Sequence, residues 1–541
     1  MKNIIPSLSF EISKHTLKNL QQKLEYYLPW IIIIAAAAIS IFCFIYYFNN
    51  NLGLAYNDAR SHLNIGRRVV EGLKPGAAQL GSVWLPLPHA LMVPTIWNDF
   101  MWHSGLSGAL QSMVSYVAVC VLIYAILDKL KVGAIGKVFG VVAFATNLNI
   151  LYLQSTAMTE LLLISTMTAG VFELINFHKD ESILPLVKSA FWIMLSTLIR
   201  YDGWFLFAYS ALLVVIYALR KKNWKMSEGL FVLFCTLAGF GIFLWVLWNT
   251  LIFKDPLYFA FGPYSAHAQQ DQLDAAGVLI TKHNWLISTS TYWYAMAYNV
   301  GILHIILGSL GAFLLFLDKK ISLKVRLATT ALVAPLVFNI LALYLGHSVL
   351  FVQNINGDTW FNVRYGIMMM PSFAIFLGYL AHRFSSYKYL IIGLILFVNV
   401  FAFLNHDAVT IDDGRVGSSQ KNVSEVSGWL RDHAQDEKGF ILISAASHDA
   451  IIFSSELPMK RFIHEGTGTY WENATATPDR WARWIVMRTH DNNDQTFKLV
   501  DKSGALDKYT LVESSPCVNY FLLKDEYLPQ LNTEANLGPQ R

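Results

Sequence analysis

WIIIIAAAAISIFCFIYYF, residues 30–48, carries no charged side chain, and within ten residues the chain turns to YNDARSHLNIGRRVVEGLKPG, residues 56–76. Hydrocarbon offers no partner to an open backbone amide, so a run of this length is read as a membrane-spanning helix. It lacks a short apolar region followed by a small-residue cleavage site, and is therefore expected to stay as an anchor. The stretch behind it then poses a question: why do Asp58, Arg60, His62, Arg67 and Arg68 crowd together where the first apolar segment ends?

The rest of the chain has the same character. Of its 541 residues 55% are hydrophobic, 14% aromatic and only 14% charged, where soluble proteins carry about 25% charged residues. Ten further apolar segments are expected to span, at 106–127, 138–153, 161–177, 183–198, 204–219, 230–253, 300–317, 327–344, 366–380 and 389–404. The fold class is a polytopic α-helical membrane protein of about 11 spans. Its four cysteines, Cys43, Cys120, Cys235 and Cys517, are scattered and form no CxxC pair, so neither a disulfide framework nor a redox site is supported. A net charge of +4 without a basic-aromatic cluster gives no sign of nucleic acid.

Orientation follows from the short loops. Lys129, Lys131, Lys137, Lys179, the RKKNWK of 220–225, the DKKISLKVR of 318–326, Arg383 and Lys388 all fall at one set of ends. That set, with the N-terminus, is expected in the cytoplasm, most simply at the plasma membrane. The long loops 49–105 and 254–299 then face outward. Residues 1–404 are read as the membrane domain and 405–541 as an extracytoplasmic domain, because the last 137 residues hold 14 of the 41 basic and 20 of the 37 acidic residues. VSEVSGWLRDHA reads as an amphipathic helix and GFILISA, YTLVES and NYFLLK as strands, which makes a small α/β unit.

Ionisable residues recur at the outward ends of separate spans. Asp58, Arg60 and His62 open the first loop; QSTAMTELL places Glu160, TLIRYDGW places Arg200 and Asp202, and FNVRYG places Arg364 with Tyr365. Taken singly, Asp58 is a helix-start carboxylate favoured by the dipole. Taken together, charges at membrane depth on one face point to a site. Carboxylates deprotonate hydroxyls and arginines grip phosphate bidentately, so the mixture suits a lipid-phosphate substrate. The span middles are nearly charge-free, which counts against transport. His89, Tyr264 and His267 are further candidate substrate contacts; Trp84, Trp97 and Trp102 suit sugar stacking or an interfacial belt. Arg67 and Arg68 are read as lipid-headgroup contacts.

NDARSH (57–62), VWLPLPHALMVP (83–94), STAMTE (155–160), RYDG (200–203) and NVRYG (362–366) followed by Pro371 together resemble the GT-C superfamily of integral-membrane glycosyltransferases, in the branch of protein O-mannosyltransferases and lipid A aminoarabinose transferases. The likeness runs in order and spacing over about 56–371. It implies a polyprenyl-phosphate-linked sugar as donor, used on the outer face without a nucleotide. It also implies Asp58 as general base, Glu160 as the second acidic residue, and Arg364 with Arg200 as holders of the donor phosphate. The sequence departs from the commoner acidic pair by having Asn57 before Asp58. No cofactor is demanded; a divalent metal is left open. The acceptor, whether protein, lipid or polysaccharide hydroxyl, is not named by the sequence. The alternatives are a carrier or flippase for a lipid-linked sugar, or an inactive membrane scaffold.

Overall fold

The computed structural model describes residues 14–81, 83–220, 224–262, 265–417, 423–491, 493–515 and 518–535. Among these, eight helices are long and apolar enough to cross a membrane: Glu25–Asn49, Leu106–Lys129, Glu160–Asp180, Asp202–Arg220, Trp224–Phe253, Leu323–Tyr344, Val363–Arg383 and Lys388–Val416. The chain is a multi-pass integral membrane protein. The three other segments expected to span are shorter. Ala134–Ala145 and Ile183–Thr197 are apolar helices of under 18 residues, and Ile302–Leu317 is bent by 105° against Trp285–Val300. The bend falls at Gly301, whose φ of 96° lies where a side chain is disfavoured.

Val363–Arg383 is the centre of the bundle, buried over 94% of its apolar window. Its neighbours approach it through glycine. A Cβ on Gly378 would lie 2.6 Å from the carbonyl oxygen of Gly136, and one on Gly136 equally close to that of Gly378. Backbones meet here as in other membrane helices that pack on small residues.

The loop 49–105 is mostly helical. Asn57–Val70 buries Ala59, Leu63 and Gly66 along one side and packs against Leu87–Ile96 and Ala445–Ser454. After residue 440 a five-stranded sheet forms from β1 (Phe440–Ile443), β2 (Phe462–Ile463), β3 (Ala482–Met487), β4 (Tyr509–Ser514) and β5 (Asn519–Leu523), in the order β2-β1-β3-β5-β4. β1 runs parallel to β2 and β3, and β5 is antiparallel to both β3 and β4. Alternate residues divide its two faces. Phe440, Leu442, Ile485 and Met487 face a small core of their own, while Ile441, Ile443, Trp484 and Val486 join the apolar core that continues into the membrane bundle.

This packing corrects the lipid reading of Arg67 and Arg68. Arg67 is buried: its guanidinium donates to Glu71, to Asp99 Oδ1 at 2.6 Å and to the carbonyls of Ile96 and Trp97, above the Trp102 ring. Arg68 pairs with Asp449 at 2.9 Å, and Asn64 donates to the same carboxylate. Both cations hold protein to protein, because the helix face that looked interfacial in sequence is covered by residues about 30 and 380 positions away.

Candidate active site

The three carboxylates predicted for the outer face stand at the starts of helices. Asp58 is the second residue of Asn57–Val70, Glu160 the first of Glu160–Asp180 and Asp202 the first of Asp202–Arg220. The positive end of the helix dipole favours a carboxylate at each place. Arg364 lies in the 3₁₀ turn Val363–Met369. A Cβ on Gly366 would fall 2.2 Å from the carbonyl oxygen of Ala295, so glycine lets this turn lie directly on the helix Trp285–Val300. Asn299 of that helix donates to the Val363 carbonyl at 2.7 Å and fixes the turn beside Arg364.

The turn brings the groups together. Arg364 is buried and its fork reaches three elements: Nη2 donates to Asp58 Oδ2 at 2.5 Å, Nε donates to Glu160 Oε1 at 3.0 Å, and Nη1 stands 3.8 Å from Asp413 Oδ2. Arg200 Nη1 donates to the same Glu160 oxygen at 3.1 Å, and its Nε to Asp202 Oδ2 at 3.4 Å. Tyr365 lies under the Arg200 guanidinium, 4.5 Å from ring centre to carbon. Desolvation and water exclusion strengthen such contacts. Glu160 is fully buried, whereas the Asp58 side chain keeps 36% exposure. One carboxylate is therefore sealed between two arginines and the other is open to a substrate.

Two acceptor atoms of the cluster, Glu160 Oε2 and Asp202 Oδ1, are buried without a donor among the described residues, and the donor Nη1 of Arg60, whose Nε is held by the Leu54 carbonyl, is buried without an acceptor there. Buried polar atoms left in this state are costly. No group of three or more His, Cys, Asp or Glu that could hold a metal ion occurs among the described residues.

Asp413 and Tyr56 are site residues that the sequence reading did not single out. Asp413 sits on Val409–Val416, a helix anchored where Thr410 donates through both N–H and hydroxyl to Asn149 Oδ1. Tyr56 donates to Asp413 at 3.1 Å and carries Arg364 over its ring. Burial keeps the Tyr56 phenol far above its ordinary pKa, so its proton stays in place. The acidic pair of TIDDGR just after the apolar run 389–404 was the available signal.

The histidines part company with the cluster. His62, one turn from Asp58, bonds through Nδ1 to His89 Nε2 at 2.8 Å and stacks on Trp84. Burial pushes His62 down to about 3, with Arg364 and Arg200 adding to the effect, and pushes His89 far down as well. Two neutral rings offer hydrogen bonds and no charge. His267 pairs with Asp271 on its own helix and meets Phe261; Tyr264 lies outside the described residues.

No protein-family model and no curated protein matches this chain. Among solved structures it is similar to ArnT from Cupriavidus metallidurans bound to undecaprenyl phosphate, with 10% identity, 92% of this chain and 98% of that chain covered, and a TM-score of 0.56. The apo state of the same protein gives 0.51 at the same identity and coverage. Oligosaccharyltransferase from Archaeoglobus fulgidus, in complex with Zn and sulfate, scores 0.48 over 91% of this chain and 73% of its own, too low to build on. The ArnT likeness over nearly both full lengths shows the fold: this chain shares the overall architecture of that protein.

Proposed function

We propose that the protein transfers a sugar from a polyprenyl-phosphate-linked donor to an acceptor hydroxyl at the membrane surface. The observation that carries this reading is Arg364, one buried guanidinium holding the exposed Asp58 and the sealed Glu160 at once, in a fold shared with a protein solved with undecaprenyl phosphate. A lipid phosphate needs arginine donors at the lipid boundary, and an acceptor hydroxyl needs an accessible base.

In this reading the donor phosphate takes over nitrogens of Arg364 and Arg200, and that exchange frees Asp58 from its ion pair. A carboxylate tied to a guanidinium is a poor base, so donor binding itself arms it. Asp58 then takes the acceptor proton, the acceptor oxygen bonds to the anomeric carbon, and the bond from that carbon to the phosphate oxygen breaks with its electron pair going to phosphate. The arginines stabilise the charge that develops there.

Purified protein given a polyprenyl-phosphate sugar is expected to release polyprenyl phosphate. Asp58→Asn should stop release while the donor still binds. Normal turnover by that variant would remove Asp58 as base, and movement of intact donor across vesicles without transfer would favour a carrier.

A further inference from the structure

The two helices that begin with Glu160 and Asp202 end, about 30 Å away at 1.5 Å per residue, around a cavity of about 300 Å³. His178 and Tyr217 line it from their last turns, Arg220 stands at its edge, and Lys324 and Leu327 close it from the helix Leu323–Thr329. Its chemistry is opposite to that of the acidic cluster. Arg220 makes no hydrogen bond or ion pair with any described residue, while Lys324 pairs with Glu181 and approaches the Tyr217 ring. His178 spends its Nδ1 on the Leu174 carbonyl at 2.9 Å, so the cationic character comes from Arg220 and Lys324.

Two further features say what fits. Leu212, Leu219 and Leu323, beside the lining residues on the same helices, are exposed, and on a membrane protein such a surface meets acyl chains. The sequence after Arg220 is also basic, RKKNWK. A cation at a helix C-terminus often serves only the dipole, yet Arg220 reaches no carbonyl there. Basic pockets between membrane helices near the lipid surface bind anionic headgroups.

We propose that this cavity binds the phosphate of an anionic phospholipid headgroup, with Arg220 and Lys324 on the phosphate and the acyl chains running along the leucines outside. The site is independent of the acidic cluster and of the reaction assigned to it. Lys324 is shared between Glu181 and the phosphate, and Arg220 is the cation that gains a partner only when the lipid is present.

The test is native mass spectrometry of the full-length protein in detergent with phosphatidylglycerol and phosphatidylcholine of equal chain length. A surface cation favours an anionic lipid about fivefold, so the wild type should retain phosphatidylglycerol at least about fivefold better. Arg220→Gln/Lys324→Gln should abolish that preference, and Arg220→Lys/Lys324→Arg should keep it. If the double variant loses its native melting transition, Arg220→Gln alone, which breaks no ion pair among the described residues, should lower the preference about fivefold. Equal preference in the wild type and the glutamine variants, or none in the wild type, overturns the site. Displacement of the lipid by millimolar glycerol phosphate would overturn the lipid assignment in favour of a soluble phosphate.

Discussion

Glu160→Gln should make the protein hold polyprenyl phosphate more tightly. Glu160 is fully buried, and one of its oxygens accepts from Arg364 Nε at 3.0 Å and Arg200 Nη1 at 3.1 Å. Glutamine keeps an oxygen there for both donors and removes one negative charge. A phosphate gripped by the far nitrogens of either arginine lies about 7 Å from that carboxylate, two hydrogen bonds plus the width of a guanidinium. At an effective dielectric near 20, one unit charge at this distance costs about 2 kcal/mol, or about thirtyfold in Kd. The assay is titration of the purified variant with undecaprenyl phosphate, alongside turnover and a thermal melt. Affinity should rise about thirtyfold while turnover falls from product retention. Unchanged or weaker affinity in a variant that melts near the wild-type temperature would refute the placement of phosphate beside this carboxylate.

Arg364→Lys should bind donor weakly, because a compact ammonium cannot grip phosphate bidentately as the planar guanidinium fork does; calorimetry with undecaprenyl phosphate checks this, and wild-type affinity would exclude Arg364 as the phosphate holder. For His62 the folded pKa of about 3 lies below the ordinary 6.5, so the unfolded state binds the extra proton between those values. Stability from this group is complete above pH 6.5 and drains away as pH falls toward 3, by about 2 kcal/mol at pH 5; the melting temperature of His62→Gln should fall less steeply from pH 7.5 to 5 than that of wild type, and parallel slopes would disprove the assignment. Asp449→Ala leaves Arg68 buried without its partner, a loss of about 3–5 kcal/mol, and should raise hydrogen exchange over β1 to β3; unchanged exchange there would mean that the contact does not hold the sheet domain to the first loop.

Much of the cluster was legible in the sequence because its members are local signals. A carboxylate opening a helix after small polar residues, as in STAMTE, or an arginine just before a glycine turn, as in NVRYG, is visible without knowing the fold. Convergence was inferred from one shared membrane face, and Arg364 turns out to be the atom-level reason for it. Asp413 was hidden by a different physics. It follows the apolar run 389–404 in a stretch whose charge density reads as soluble, and only the packing of Val409–Val416 on Leu148–Leu153 turns it inward. Arg67 and Arg68 failed for the complementary reason. A basic helix face looks the same whether lipid or protein covers it, and Asp99 and Asp449 are not deducible as partners. The short helices Ala134–Ala145 and Ile183–Thr197 read as spans because apolar length says how far a helix reaches, not what surrounds it.

The balance of charge gives the proposed reaction a direction. Arg364 and Arg200 face four carboxylates, Asp58, Glu160, Asp202 and Asp413. A site meant only to grip phosphate has no use for that excess. The donor, a phosphodiester, carries one negative charge; the product, a phosphate monoester, carries up to two at neutral pH. Once Asp58 has passed the acceptor proton to solvent, the second phosphate charge meets the full surplus of carboxylate, so the cluster then repels product more than donor and transfer is followed by release. Glu160, the carboxylate both arginines share, is the residue through which this discrimination acts, which is why its neutralisation should trap the product and not merely slow the chemistry.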